Sequence, residues 1–183
     1  MSTQRVVLTV RDYEATPADG RHYQILDGEL FVTASPTPIH QLVVGNLYVL
    51  LRRHVDDRRM GTVLLSPIAV ILADTTVVEP DLVYLDAEQR PLISRRGIEG
   101  APRLLIEVLS PSTKTVDQRT KSQLYARYGV SYYWIVDATA RTIDAYELAD
   151  GTYRTAARLS GSTQVALPPF ADLALAPETI WPA

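Results

Sequence analysis

The 183-residue chain has the length of one ordinary domain and can bury about 70% of its unfolded surface, so folding needs no disulfide or metal staple. Apolar residues make up 46% and charged residues 21%, near the globular average, which excludes a disordered chain, a fibrous repeat and a membrane span. There is no cysteine, so thiolate metal sites and cysteine nucleophiles drop out, and the net charge of −3 gives no support to a bulk polyanion binder. An acidic balance still allows a nucleic-acid enzyme, because a bound divalent ion imports positive charge. Of the 18 basic residues only Lys114 and Lys121 are lysines. The N-terminus lacks the charged start and apolar block of a signal peptide, and a cytoplasmic protein is expected.

Residues 1–20 read as a mixed lead-in. The β-rich stretch from Tyr23 to Ala34 is broken by Asp27-Gly28, a two-residue hairpin signal. After Ser35-Pro36-Thr37-Pro38, apolar steps of three and four predict a helix over Ile39 to Val55. Thr62 to Leu72 and Val77 to Leu85 read as strands, then a polar, arginine-containing loop runs to Ala101. Arg103 to Leu109 is a strand, Val116 to Tyr128 a helix stopped at Gly129, and Ser131–Asp137 and Thr142–Leu148 are further strands. The tail, 151–183, carries a hairpin around Asp150-Gly151 and a Pro-rich end. One α/β domain is expected over 1–183, its core at 20–150, with a mixed sheet of five or more strands and two principal helices.

Three residues stand out against this pattern. Glu107 lies in Leu-Leu-Ile-Glu-Val-Leu, apolar on both faces, where a charge is costly unless paired, protonated or metal-bound. The plainer alternative is an edge strand that lets it reach solvent. Asp81 follows Pro80, which marks a bulge or strand edge, although Pro-Asp is also ordinary turn chemistry. Glu79 competes with it, since alternation points both to the same side. Lys121 fits an i,i+4 surface pair with Asp117, yet it lies near the buried helix face, from which its stem can carry the ammonium to the sheet's rim. His22, His40 and His54 are too scattered for a zinc-protease spacing, and neither a G-x-S-x-G elbow nor a phosphate-cradling Gly loop occurs. The aromatics Tyr125, Tyr128, Tyr132, Tyr133 and Trp134 could stack on bases but read better as core.

Taken together, Pro80-Asp81-Leu82-Val83, Ile106-Glu107-Val108-Leu109-Ser110-Pro111-Ser112-Thr113, then Asp117, Lys121, Tyr125, Gly129-Val130 and Tyr133-Trp134-Ile135-Val136-Asp137 resemble the Uma-two family. The segments Tyr23–Leu30 and Ser35–His40 resemble it too. This bacterial group is assigned to the PD-(D/E)xK restriction-endonuclease-like superfamily. The resemblance implies a restriction-endonuclease-like mixed β-sheet flanked by α-helices. It implies that Asp81 and Glu107 bind Mg²⁺ or Mn²⁺, with Lys121 as the catalytic lysine.

Two positions depart from the pattern. Leu109 stands where E-x-K would place lysine, leaving Lys121 on the next helix as the substitute and Lys114 as the weaker candidate. Gln24 stands where relatives are expected to carry glutamate, so any peripheral metal contact there would be through a neutral oxygen. The leading expectation is a Mg²⁺-dependent endonuclease acting on DNA, catalytic through Asp81, Glu107 and Lys121, with Gln24 peripheral. Arg52, Arg53, Arg95 and Arg96 are candidate phosphate contacts, and a homodimer is expected only by analogy. The rival expectation is an inactive nucleic-acid-binding or interaction protein that keeps the nuclease fold.

Overall fold

The computed structural model describes residues 6–33, 35–110 and 114–182, so Pro111, Ser112 and Thr113 of the motif lie outside the described residues. After a short helix α1 (Val10–Glu14), strands β1 (His22–Leu26) and β2 (Glu29–Thr33) form the expected hairpin. Asp27 and Gly28 take φ of +52° and +82°, the left-handed pair that a two-residue turn between right-twisted strands demands. Helix α2 (Pro38–Asp57) is opened by Thr37, whose side-chain oxygen accepts the His40 N–H, and by Pro38 in the first turn, where a missing N–H costs nothing.

The two apolar runs that follow are not the continuous strands expected. Thr62–Leu72 divides into β3 (Gly61–Leu65) and β4 (Val70–Ala73), and Val77–Leu85 into β5 (Thr76–Val78) and β6 (Leu82–Asp86). Pro67 and Pro80 sit in the two breaks and have no N–H to give a ladder, so each run leaves one sheet and enters another. The arginine-containing loop holds a 3₁₀ turn (Ala87–Leu92) and the two-residue β7 (Ile98–Glu99). Next come β8 (Leu104–Val108), a π-helical segment (Val116–Lys121) running into α3 (Ser122–Arg127), and β9 (Tyr132–Asp137). Strands β10 (Thr142–Ala149) and β11 (Thr152–Leu159) pair across the predicted Asp150-Gly151 turn. A small ladder of β12 (Val165–Ala166) and β13 (Ala174–Leu175) and the short α4 (Pro177–Ile180) complete the described chain.

The class is mixed α/β, as expected, but the strands form two principal sheets where one was expected. One runs β2-β1-β5-β4-β7 and the other β11-β10-β9-β8-β6-β3. Each is mixed: β4 is parallel to β7, and β8 is parallel to β9 across the π/α3 crossover. Strand β8 is central to the six-stranded sheet. Its Leu104, Ile106 and Val108 pack with Val43, Leu47 and Leu51 of α2 and with Trp134, while Leu105 packs in a second cluster with Leu124, Tyr125 and Tyr133. Each fully buried Leu or Ile contributes about 1.5–3 kcal/mol, so both layers are strongly held. Tyr125, Tyr133 and Trp134 are fully buried, in keeping with their reading as core. No helix is long and apolar enough to cross a membrane among the described residues.

Candidate active site

Glu107 is not on an edge. It sits on the Leu105 face of β8, 4% exposed, between β6 and β9. Its Oε1 accepts two hydrogen bonds, from Lys121 Nζ at 2.8 Å and from the Tyr125 hydroxyl at 2.7 Å. Lys121 is itself 3% exposed, deeper than the rim position its spacing suggests. The cause is the π-helical turn over Val116–Lys121, whose wider winding displaces Lys121 from its ideal α-helical azimuth. Its Nζ also lies 3.1 Å from Asp117 Oδ1, so the i,i+4 pair and the reach to Glu107 exist together.

Asp81 occupies the crossing between the two sheets, one residue before β6. Its Oδ2 accepts the Val108 N–H at 2.7 Å and lies 3.2 Å from His40 Nε2. The strand end beyond Glu107 thus fixes the Asp81 carboxylate. Two residues upstream, Glu79 Oε1 accepts the Tyr13 hydroxyl at 2.6 Å, and Oε2 lies 2.9 Å from His22 Nδ1. Gln24 Oε1 accepts the Glu79 N–H at 3.1 Å. A cavity of about 350 Å³ is lined by Asp81, Glu107, Lys121 and Gln24, along with His22, His40, Glu79 and Asp117.

Residues 10–178 match the profile of Uma2, the family described as "Putative restriction endonuclease". The chain belongs to that family. The uncharacterized protein slr1290 of Synechocystis is 28% identical over 131 residues, covering 70% of this chain and 67% of its own. A crystal structure from Anabaena variabilis, described as a "putative nuclease belonging to DUF820", superposes with a TM-score of 0.79 over 95% of this chain and 97% of that one. At 17% identity that likeness establishes a shared fold.

The electrostatics of this Uma2 site follow from one cation serving two buried acids. Burial pushes the Glu107 carboxyl up to about 8; Lys121 opposes the shift, while Asp117 and Asp81 add to it. Burial alone would discharge Lys121, but Glu107 and Asp117 together hold its ammonium protonated, above its ordinary range. A folded-state value above the unfolded one means that Glu107 favours folding below about pH 4.5 and loses that contribution as pH rises through about 8. Thermal unfolding in chelator should therefore show wild type losing stability between pH 5 and pH 9 relative to Glu107→Gln. At about 1.4 kcal/mol per pKa unit and about 2–4 °C per kcal/mol for a chain of this size, a relative shift of about 8–16 °C is expected, and parallel curves would show no buried titration.

Four cavity residues went unused in the sequence reading. His40 had been set aside with the other histidines, although it falls on the face of α2 that carries Val44, Leu47 and Leu51; a polar residue on that apolar stripe was the available signal. It is 8% exposed, and its Nδ1 has no hydrogen-bond partner. Burial disfavours its charged form, but the Asp81 carboxylate more than offsets this, and its pKa is raised. The sequence marks Asp117 as a surface partner of Lys121 and as part of the family-like pattern without a role in the site, and Glu79 as a competitor of Asp81; His22 has no local signal. Lys114 pairs with Asp137 at 3.2 Å, away from the cavity lining. Arg52, Arg53 and Arg96 are engaged with Asp56, Asp57 and Glu14, and none of these arginines, nor Arg95, lines the cavity.

Proposed function

We propose that the chain is a metal-dependent endonuclease that hydrolyses DNA phosphodiester bonds, with Asp81 and Glu107 holding Mg²⁺ or Mn²⁺ and Lys121 acting beside them. The observation that carries this reading is the opening of two carboxylates, one just before β6 and one on the neighbouring β8, into one cavity with a buried lysine. Four acids line that cavity against one lysine and two histidines, so a phosphodiester would be repelled unless a cation came with it. The donor set suits a hard ion that keeps its waters. Among the described residues no three His, Cys, Asp or Glu side chains gather to hold a metal, and magnesium is commonly held by one or two carboxylates plus substrate phosphate oxygens. The bound ion would polarise the scissile phosphate and lower the pKa of a water.

The chain's own residues supply the rest. The Val108 N–H and His40 orient Asp81 so that its second oxygen is presented in a fixed direction. Lys121 keeps a full positive charge, the form that stabilises negative charge growing on a phosphoryl group. Tyr125 donates to Glu107 Oε1 and so holds the side chain in one rotamer.

The test is incubation with supercoiled plasmid in Mg²⁺, Mn²⁺ or EDTA. Nicking with either ion that EDTA abolishes is the expected result; no nicking under any condition supports a fold kept without chemistry. His40→Ala should weaken Mn²⁺ binding about 10–100-fold by calorimetry, with an unchanged circular dichroism spectrum, because it removes a partner that orients a ligand. Unchanged affinity would mean that Val108 alone orients Asp81.

A further inference from the structure

We infer that His22 donates the proton taken up by the leaving oxygen, an assignment that rests on the endonuclease reading above. That reading assigns no residue to protonate the departing alkoxide, which is a poor leaving group at neutral pH. An imidazolium is suited to the task, because its pKa lies near the working pH.

The geometry on the far wall of the cavity fits this role. Both Glu79 oxygens are committed, Oε1 to the Tyr13 hydroxyl at 2.6 Å and Oε2 to His22 Nδ1 at 2.9 Å, and Gln24 anchors the Glu79 backbone. A carboxylate can only accept, so Nδ1 carries a hydrogen and the position that gains and loses a proton is Nε2. The anchor is the more buried partner: the Glu79 side chain is 11% exposed and that of His22 30%. Strand alternation sets His22 and Gln24 on one face of β1, and both line the cavity with Asp81 and Glu107. The charged and titratable groups around His22 are Glu79 and Tyr13 at its anchor, and Asp81, Glu107, Asp117, Lys121 and His40 along the same cavity. In the preceding loop Asp19 pairs with Arg21 at 3.3 Å, and Thr33 opposite His22 on β2 is neutral.

In the step itself a water oxygen bonds to phosphorus and its proton passes to solvent. The bond from phosphorus to the leaving oxygen breaks, that oxygen keeps the electron pair and takes the Nε2 proton, and His22 regains a proton from solvent. One proton enters the medium and one leaves it.

The test compares wild type, His22→Asn, Glu79→Gln and Glu107→Gln on duplex oligonucleotides with ordinary linkages and on duplexes carrying sulfur at the 3′- or 5′-bridging position, all in Mn²⁺. A thiolate departs without a proton. His22→Asn should slow cleavage of the ordinary duplex about 10²–10³-fold. It should slow cleavage at the sulfur linkage at least tenfold less. Glu79→Gln should slow the ordinary duplex more than the sulfur linkage in the same way, because it removes the carboxylate that orients His22 through Nδ1. Equal loss on oxygen and sulfur linkages, or no loss on either, would overturn the assignment. Glu107→Gln should be inactive on both, and a wild type that cleaves no duplex would overturn the endonuclease reading itself.

Discussion

Glu107→Gln is expected to remove Mn²⁺ binding in calorimetry and to cut plasmid nicking by about 10³-fold or more, with no loss of fold, since the ion's electrostatic contribution is the largest single part of such catalysis. The substitution is close to isosteric, and its amide oxygen can still accept from Lys121 and Tyr125, the two donors that Glu107 Oε1 serves. It also resembles the protonated Glu107 that burial favours below about pH 8, so the protein already tolerates a neutral group there. Stability should hold below about pH 8 and rise relative to wild type above it, where the substitution removes a buried charge with half a counterion. Asp81→Asn makes an informative companion. Its amide oxygen can keep the Val108 N–H, but the charge that raises the His40 pKa is gone, so metal binding should fall while a small loss of stability appears. Nicking that survives both changes would place the chemistry outside this cavity. Metal binding that persists in Glu107→Gln would leave Asp81 as the sole carboxylate ligand and end the two-carboxylate mechanism.

The parts of the site that were legible in the sequence are those whose oddity is local. Glu107 interrupts an apolar strand, Asp81 follows a proline, and Lys121 is one of two lysines; each breaks a short-range pattern. The second sheet was hidden for the same reason. The run from Val77 to Leu85 is apolar on both sides of Glu79-Pro80-Asp81, and periodicity cannot show that the chain changes sheets there; Pro80 was the only cue. The π-helical turn under Lys121 was equally hidden, because a change of winding leaves no mark on which residues are apolar. His22, Glu79 and Tyr13 come together from β1, the β5–β6 crossing and α1, separated by up to 66 positions. Each is unremarkable in its own segment, and only long-range packing makes them a unit.

Lys121→Met should be the most destabilising change in the cavity, and it separates what the lysine does for the fold from what it does for the reaction. Nζ sits between Glu107 Oε1 at 2.8 Å and Asp117 Oδ1 at 3.1 Å, with both acids all but buried. Removing the cation leaves those acids facing each other in a poorly solvated space. Breaking a buried pair in this way costs about 3–5 kcal/mol, which at about 2–4 °C per kcal/mol is a fall in Tm of about 6–20 °C. Adding Asp117→Asn should return most of that loss, because the one remaining acid, Glu107, can then stay protonated. Activity should not return with it, since the lysine's charge no longer faces the phosphate. Asp117→Asn alone should behave in the opposite sense: Lys121 then serves Glu107 only, the Glu107 pKa falls, and the acid limb of nicking moves to lower pH while the maximum rate survives. Thermal melts and pH–rate profiles of the three variants decide the matter. A double variant that regains stability and activity together would make Lys121 a structural counterion only, and the charge-stabilising role assigned to it would have to pass to another group.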